Sequence, residues 1–104
     1  MNHAVIAATV PGGGDERIVG MASYVREGEG ADIAFAVEED FQRRGIASRL
    51  LRELTRIARA NGIARFEADV LPHNTPMLAV LRGSGLPMRE EVHDGIVHAT
   101  LSLT

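Results

Sequence analysis

The chain has 104 residues, 45% of them hydrophobic, which is enough for one domain core and too little for two. It has no cysteine and no lysine, all eleven basic residues being arginine, so a disulfide scaffold, a thiolate nucleophile, a zinc ribbon, a Walker-type P-loop and Schiff-base chemistry are excluded. A charged fraction of 24% with formal net charge −3 argues against bulk nucleic-acid binding and against disorder.

Residues 4 to 10 and 17 to 25 are short runs rich in Val, Ile and Ala, separated by Pro11-Gly12-Gly13-Gly14-Asp15, and predict a hairpin. The run Ala4 to Val10 lacks a basic flank and stops at Pro11, so it reads as neither signal peptide nor membrane span, and the cytoplasm is the expected address. After a break at Glu27-Gly28-Glu29-Gly30, residues 31 to 38 alternate: Ile33, Phe35 and Val37 point one way, Asp32, Ala34, Ala36 and Glu38 the other. From Ile46 the period changes. Ile46, Leu50, Leu51, Leu54, Ile57 and Ala58 form one face of an amphipathic helix, with Arg49, Arg52, Glu53, Arg56 and Arg59 on the other and Asn61-Gly62 as its stop.

Ile63 to Leu71 then predicts a strand with Phe66, Ala68 and Val70 facing inward, ended by Pro72. Asn74 is placed to cap a second helix whose first turn holds Thr75-Pro76, whose buried stripe is Met77, Val80 and Leu81, and which closes at Gly83-Ser84-Gly85. Met88 to His93 and Ile96 to Leu103 flank Asp94-Gly95, a strong hairpin signal. The predicted order is β-β-β-α-β-α-β-β, an α/β domain with a mixed, mostly antiparallel sheet in which the third and fourth strands, joined by a helix, are parallel neighbours. Tyr24, the only tyrosine, reads as a core or rim residue. His3, His73, His93 and His98 share no ligand-like spacing, and no metal is expected.

Gln42-Arg43-Arg44-Gly45-Ile46-Ala47, with Ser48 behind it, lies where a strand end becomes a helix start. A helix N-terminus offers unpaired backbone N–H groups and a partial positive charge, which favour a phosphate. Gly45 admits a close backbone approach and Ala47 leaves room beside it. The residues alone support an anion site or a plain turn.

The loop in this setting resembles the Gln/Arg-x-x-Gly-x-Gly/Ala acyl-CoA pyrophosphate loop of the GNAT N-acetyltransferase superfamily. The likeness continues through Asn74 and Gly85-Leu86, similar to the family's asparagine and the Gly-Phe that ends its following helix. Ala31-Asp32-Ile33-Ala34-Phe35 and Phe66-Glu67-Ala68-Asp69-Val70-Leu71 are most similar to acetyltransferase domains fused to, or regulating, acyl-CoA synthetases, including protein lysine acetyltransferases. The resemblance spans nearly the whole chain.

It implies that acetyl-CoA, as cosubstrate, enters a splay between the third and fourth strands. The backbone of Phe35, Ala36 and Val37 would hold the pantetheine and the amides from Arg43 through Arg44, Gly45, Ile46, Ala47 and Ser48 the pyrophosphate, with Gln42 in the loop. Arg43 and Arg44 would add charge or stay solvated. Asn74 would touch the pantetheine arm or serve only as a cap. Direct transfer to an amine, with protein lysine as one acceptor, is the implied reaction. Neutralising an amine of pKa about 10.4 at pH 7 costs roughly 4.6 kcal/mol, so a carboxylate or water relay is useful. The family's glutamate in the strand before the loop corresponds to Asp32, one methylene shorter, with Glu38 the second candidate.

The family's frequent tyrosine acid is replaced by Leu81. Thiolate is a tolerable leaving group without it. Relative to the family the chain starts at its second strand, so a homodimer or a partner domain covering the exposed edge and face is expected, and neither nucleic acid nor membrane is. A non-catalytic acyl-CoA-binding or regulatory domain, or an interaction fragment, is the rival reading.

Overall fold

The computed structural model describes residues 2–104 except Gly13 and Arg43; the side chain of Asp15 also lies outside the description, and with Arg43 goes its expected phosphate contact. The elements are β1 (His3–Gly12), β2 (Asp15–Glu27), β3 (Gly30–Val37), a single 3-10 turn (Glu39–Phe41), α1 (Ile46–Ala60), β4 (Arg65–Val70), α2 (Thr75–Arg82), β5 (Met88–His93) and β6 (Ile96–Ser102). They form one six-stranded sheet in the order β1-β2-β3-β4-β6-β5. The predicted order and mixed sheet are what the molecule adopts.

Two hairpins show the local chemistry. Asp94 (φ 50) and Gly95 (φ 76) both sit at positive φ, the backbone that a two-residue turn needs between twisted strands, and His93 pairs with Ile96 directly across it. β1 and β2 pair antiparallel with a bulge at Ala8/Thr9. β2 then pairs antiparallel with β3, from Glu27–Gly30 to Gly20–Val37.

The sheet buries one face. Ala22, Tyr24, Ala31, Ile33, Phe66, Val97, Ala99 and Leu101 form a core with Leu50, Leu51, Leu54 and Ala58 of α1 and Leu78 and Leu81 of α2. Tyr24 is a core residue, fully buried, its ring centroid 6.1 Å from that of Phe66. The other face carries Asp32, Ala34 and Ala36 of β3, their register partners Val25, Ser23 and Met21 of β2, and Glu67 and Asp69 of β4. No helix among the described residues covers it.

Two inward stripes differ from expectation. On α1, Ile46 and Ile57 are only half-buried, while Thr55 is buried, its Oγ1 without a hydrogen-bond partner among the described residues. On α2, Leu78 joins Leu81 in the core; Met77 and Val80, assigned to the buried stripe, are only half-buried, packing against the core's edge while lining a cavity. Both pairs satisfy a three-residue step, so the periodicity could not choose between neighbouring faces of so short a helix.

Among the described residues one strand pair is parallel, and it is brief. β3 and β4 are joined at Gly30–Arg65, Ala31–Phe66 and Asp32–Glu67, after which β3 runs on to Val37 and β4 to Val70 unpaired with each other. Their separation opens a splay whose apex is the Asp32–Glu67 rung. The chain elements that follow each strand, the α1 N-terminus and the α2 N-terminus, flank its wide end.

Candidate active site at the splay

A cavity of about 790 Å³ occupies the wide end. Of the residues singled out from sequence, it gathers Phe35, Ala36, Val37, Gln42, Gly45, Ile46, Ala47, Ser48 and Asn74. Phe41, Thr75, Pro76, Met77, Ala79 and Val80 line it too, and sequence reasoning did not assign them there. Position next to the capping Asn74 is the signal that could have flagged Thr75 and Pro76.

The α1 N-terminus is built to leave donors open. Its cap position is Gly45, at φ 79, so no side chain is there to accept from the first-turn N–H groups, and that turn contains no acidic residue. A Cβ at Gly45 would meet nothing within 4 Å, so the space before the helix is clear. Gln42 Nε2 donates to the Val37 carbonyl at 3.2 Å, tying the loop back to the end of β3. An uncapped helix start facing a cavity is chemically suited to an anion such as a phosphate. Asn74 caps α2, its Oδ1 accepting from the Met77 N–H at 3.3 Å.

The remaining candidates lie elsewhere. Arg44 packs its guanidinium over the Phe41 ring, 5.2 Å from the centroid, and lines a second cavity between α1 and β1. Arg17 approaches the same ring at 5.7 Å and pairs with the Glu38 carboxylate at 2.5 Å. Glu38 is therefore committed to Arg17, not aimed into the splay. Asp32 is exposed on the open face at the apex, outside the cavity lining. Of the arginine stripe on α1, Arg56 pairs with Glu53 on its own helix and Arg59 Nε donates to the Leu103 carbonyl at 2.9 Å. Leu81, which takes the place of a tyrosine acid, is fully buried.

A cluster that sequence reasoning missed lies beside the apex on the open face. His98 Nδ1 is 2.6 Å from Asp69 Oδ1, and its Nε2 is 3.2 Å from Glu67 Oε1. The hydrogen bond to Asp69, then that to Glu67, raise the His98 pKa above its ordinary 6.5, against a smaller opposing effect of burial. The sign follows: protonated His98 stabilises the fold fully below the ordinary value, and the stabilisation fades as pH rises through the higher folded value. Among the described residues no group of three or more His, Cys, Asp or Glu side chains could hold a metal ion, and no helix is long and apolar enough to cross a membrane.

The fold, with its splayed strand pair, is one that the comparisons identify. Residues 6–86 match the model of the acetyltransferase (GNAT) family, and the chain belongs to that family. It is 39% identical over 67 residues to acetyltransferase Pat of Mycolicibacterium smegmatis, a match covering 62% of this chain and 20% of that protein. The GNAT domain of S. lividans PAT superposes with a TM-score of 0.84 at 32% identity, covering 97% of this chain and 61% of that one. A cAMP-binding acyltransferase from Mycobacterium smegmatis gives 0.82 at 30%, covering 99% and 32%. The ribosomal-protein-S18-alanine N-acetyltransferase of Escherichia coli, at 20% identity and a TM-score of 0.80, shares the fold. The chain thus spans a fifth of the curated relative and about three-fifths of the first of these structures.

Proposed function

We propose that the domain transfers an acetyl group from acetyl-CoA directly to an amine, with protein lysine the acceptor suggested by the likeness to Pat. The observation that carries this reading is the uncapped, acid-free start of α1 at the mouth of the β3/β4 splay. First-turn amides from Gly45 to Ser48 take the diphosphate, and the edge of Phe35 to Val37 that faces away from β2, where β3 has parted from β4, takes the pantetheine by adding hydrogen bonds along the strand. Asn74 uses its carbonyl end as a cap, so its Nδ2 end is the donor it offers the arm of the cosubstrate.

The thioester then lies within the splay and the acceptor approaches from the open face, where Asp32 stands at the apex. Asp32, directly or through one water, removes one proton from the ammonium; the amine nitrogen bonds to the carbonyl carbon and gives up its second proton to solvent, the C–S bond breaks and the thiolate leaves. With Leu81 buried in place of a tyrosine acid, the thiolate takes its proton from solvent. Asp32→Asn is expected to lower kcat for acetyl transfer to a lysine peptide by roughly 10²- to 10⁴-fold with acetyl-CoA affinity unchanged. An unchanged rate at the pH optimum would reject Asp32 as base. Acetyl-CoA binding without turnover on any amine would instead favour a regulatory acyl-CoA-binding domain.

The expected partner contact belongs to the same open face, which exposes Val5, Met21 and Val25 in adjacent rows. A second copy packing there gives a dimer in sedimentation equilibrium at micromolar concentration; a stable, well-folded monomer across that range counts against it.

A further inference from the structure

We infer that a second copy of this chain docks on the free edge of β1 and on the flank of α1 beside it, making a two-fold dimer with one continuous sheet. The contact depends on neither the acyl-transfer reading nor the open-face rows, and a copy seated there leaves Asp32 and the splay uncovered. The sheet has two outer strands, β1 and β5, and they are unlike. β5 has six residues and carries Arg89, Glu90 and Glu91, charges that discourage a further strand. β1 has ten residues, about 34 Å of strand, with no Asp, Glu, Arg or Lys from His3 to Gly12. Its inward positions are also incompletely covered. On β6, Val97, Ala99 and Leu101 are all buried, whereas Ile6, Ala8 and Val10 of β1 are only half-buried. They floor the cavity of about 590 Å³ whose other wall includes Ile46, Arg49, Leu50 and Glu53 of α1.

The pattern on α1 selects a second copy as the occupant. Ile46, Arg49, Glu53 and Ile57 share one flank at three- and four-residue steps, and that flank is complementary to itself read backwards. In an antiparallel helix pair, a two-fold near position 51 sets Arg49 against the partner's Glu53, and Glu53 against the partner's Arg49. It also sets the half-buried Ile46 beside the partner's Ile57. Arg49 has no hydrogen bond or ion pair among the described residues, and Glu53 pairs with Arg56 of its own helix. The sheet supplies the spacing. Strands lie about 4.8 Å apart and α1 packs on both β1 and β2, so a new β1–β1 pair puts the two α1 axes about 10 Å apart, a helix-packing distance. Antiparallel pairing of β1 with itself closes after two copies, whereas β1 on β5 would leave an open edge at every addition.

Sedimentation equilibrium of the whole chain at micromolar concentration, with hydrogen exchange read at the β1 amides, tests the contact. The wild type is a dimer, and the β1 amides gain protection as concentration rises. Arg49→Glu and Glu53→Arg each set like charges against each other twice and raise the dimer Kd roughly tenfold; Arg49→Glu/Glu53→Arg, with the charges exchanged, returns it to within about threefold of wild type. Both side chains are exposed, so neither change disturbs the core. A pair that served only its own helix would alter stability and leave the Kd alone. A monomer across that range overturns the inference, as does a dimer whose Kd ignores these variants or whose β1 amides stay unprotected. A dimer weakened instead by Met21→Asp and Val25→Asp forms across the open face and equally overturns it.

Discussion

Two helices begin at the mouth of the same splay and solve the problem of their free N–H groups in opposite ways. At α2, Asn74 supplies a side-chain oxygen to the Met77 N–H, and Pro76 in the first turn removes a donor altogether. At α1, Gly45 supplies nothing, adopts φ 79 and leaves clear space in front of it. Stability alone would favour an Asn or Ser at both starts, worth about 1 kcal/mol each. The helix that forgoes the cap is the one whose donors are left open, and the α1 start, not the α2 start, is where the proposed function puts the diphosphate.

The comparison breaks most sharply at Gly45. Gly45→Glu, which places bulk and negative charge at the proposed diphosphate site, is expected to weaken acetyl-CoA binding by about three orders of magnitude in calorimetry, roughly 4 kcal/mol. Its cost to folding is confined to the left-handed backbone, about 1–2 kcal/mol in urea unfolding. Wild-type affinity in this variant would mean that the α1 start is an ordinary turn. A smaller effect separates the two roles of Asn74. Asn74→Ala loses the cap, about 1 kcal/mol of stability, together with a several-fold loss of acetyl-CoA affinity; a stability loss alone would make the α2 start structural only. Asn74→Asp keeps the cap and gains from the helix dipole, so it holds stability while lowering affinity for the anionic cosubstrate.

Much of this was legible in the residues. The alternation in β3 put Asp32 on the face away from Phe35, the switch to a 3.6-residue period after Gly45 marked α1, and Asp94-Gly95 marked its hairpin. All are local effects of side-chain direction and turn chemistry. The loop from Gln42 to Ser48 was readable as a candidate anion site, because the chemistry proposed for it is backbone chemistry, set by one glycine and one helix start. Glu38 and Arg44 were misplaced for a different reason. Both lie just outside regular elements, where direction is set by partners, here Arg17 and the Phe41 ring, rather than by period.

By itself, then, the sequence determined the element order, the inward faces of the longer elements and the uncapped start of α1, because each depends on neighbours a few residues apart. Only the tertiary structure decided that β3 and β4 part after a single short run of pairing, that Met77 and Val80 face a cavity while Leu78 enters the core, and that His98 reaches across from β6 to Glu67 and Asp69. Those depend on strands that meet about thirty residues apart in the chain, and strand pairing and register across such distances leave no period in the sequence to read.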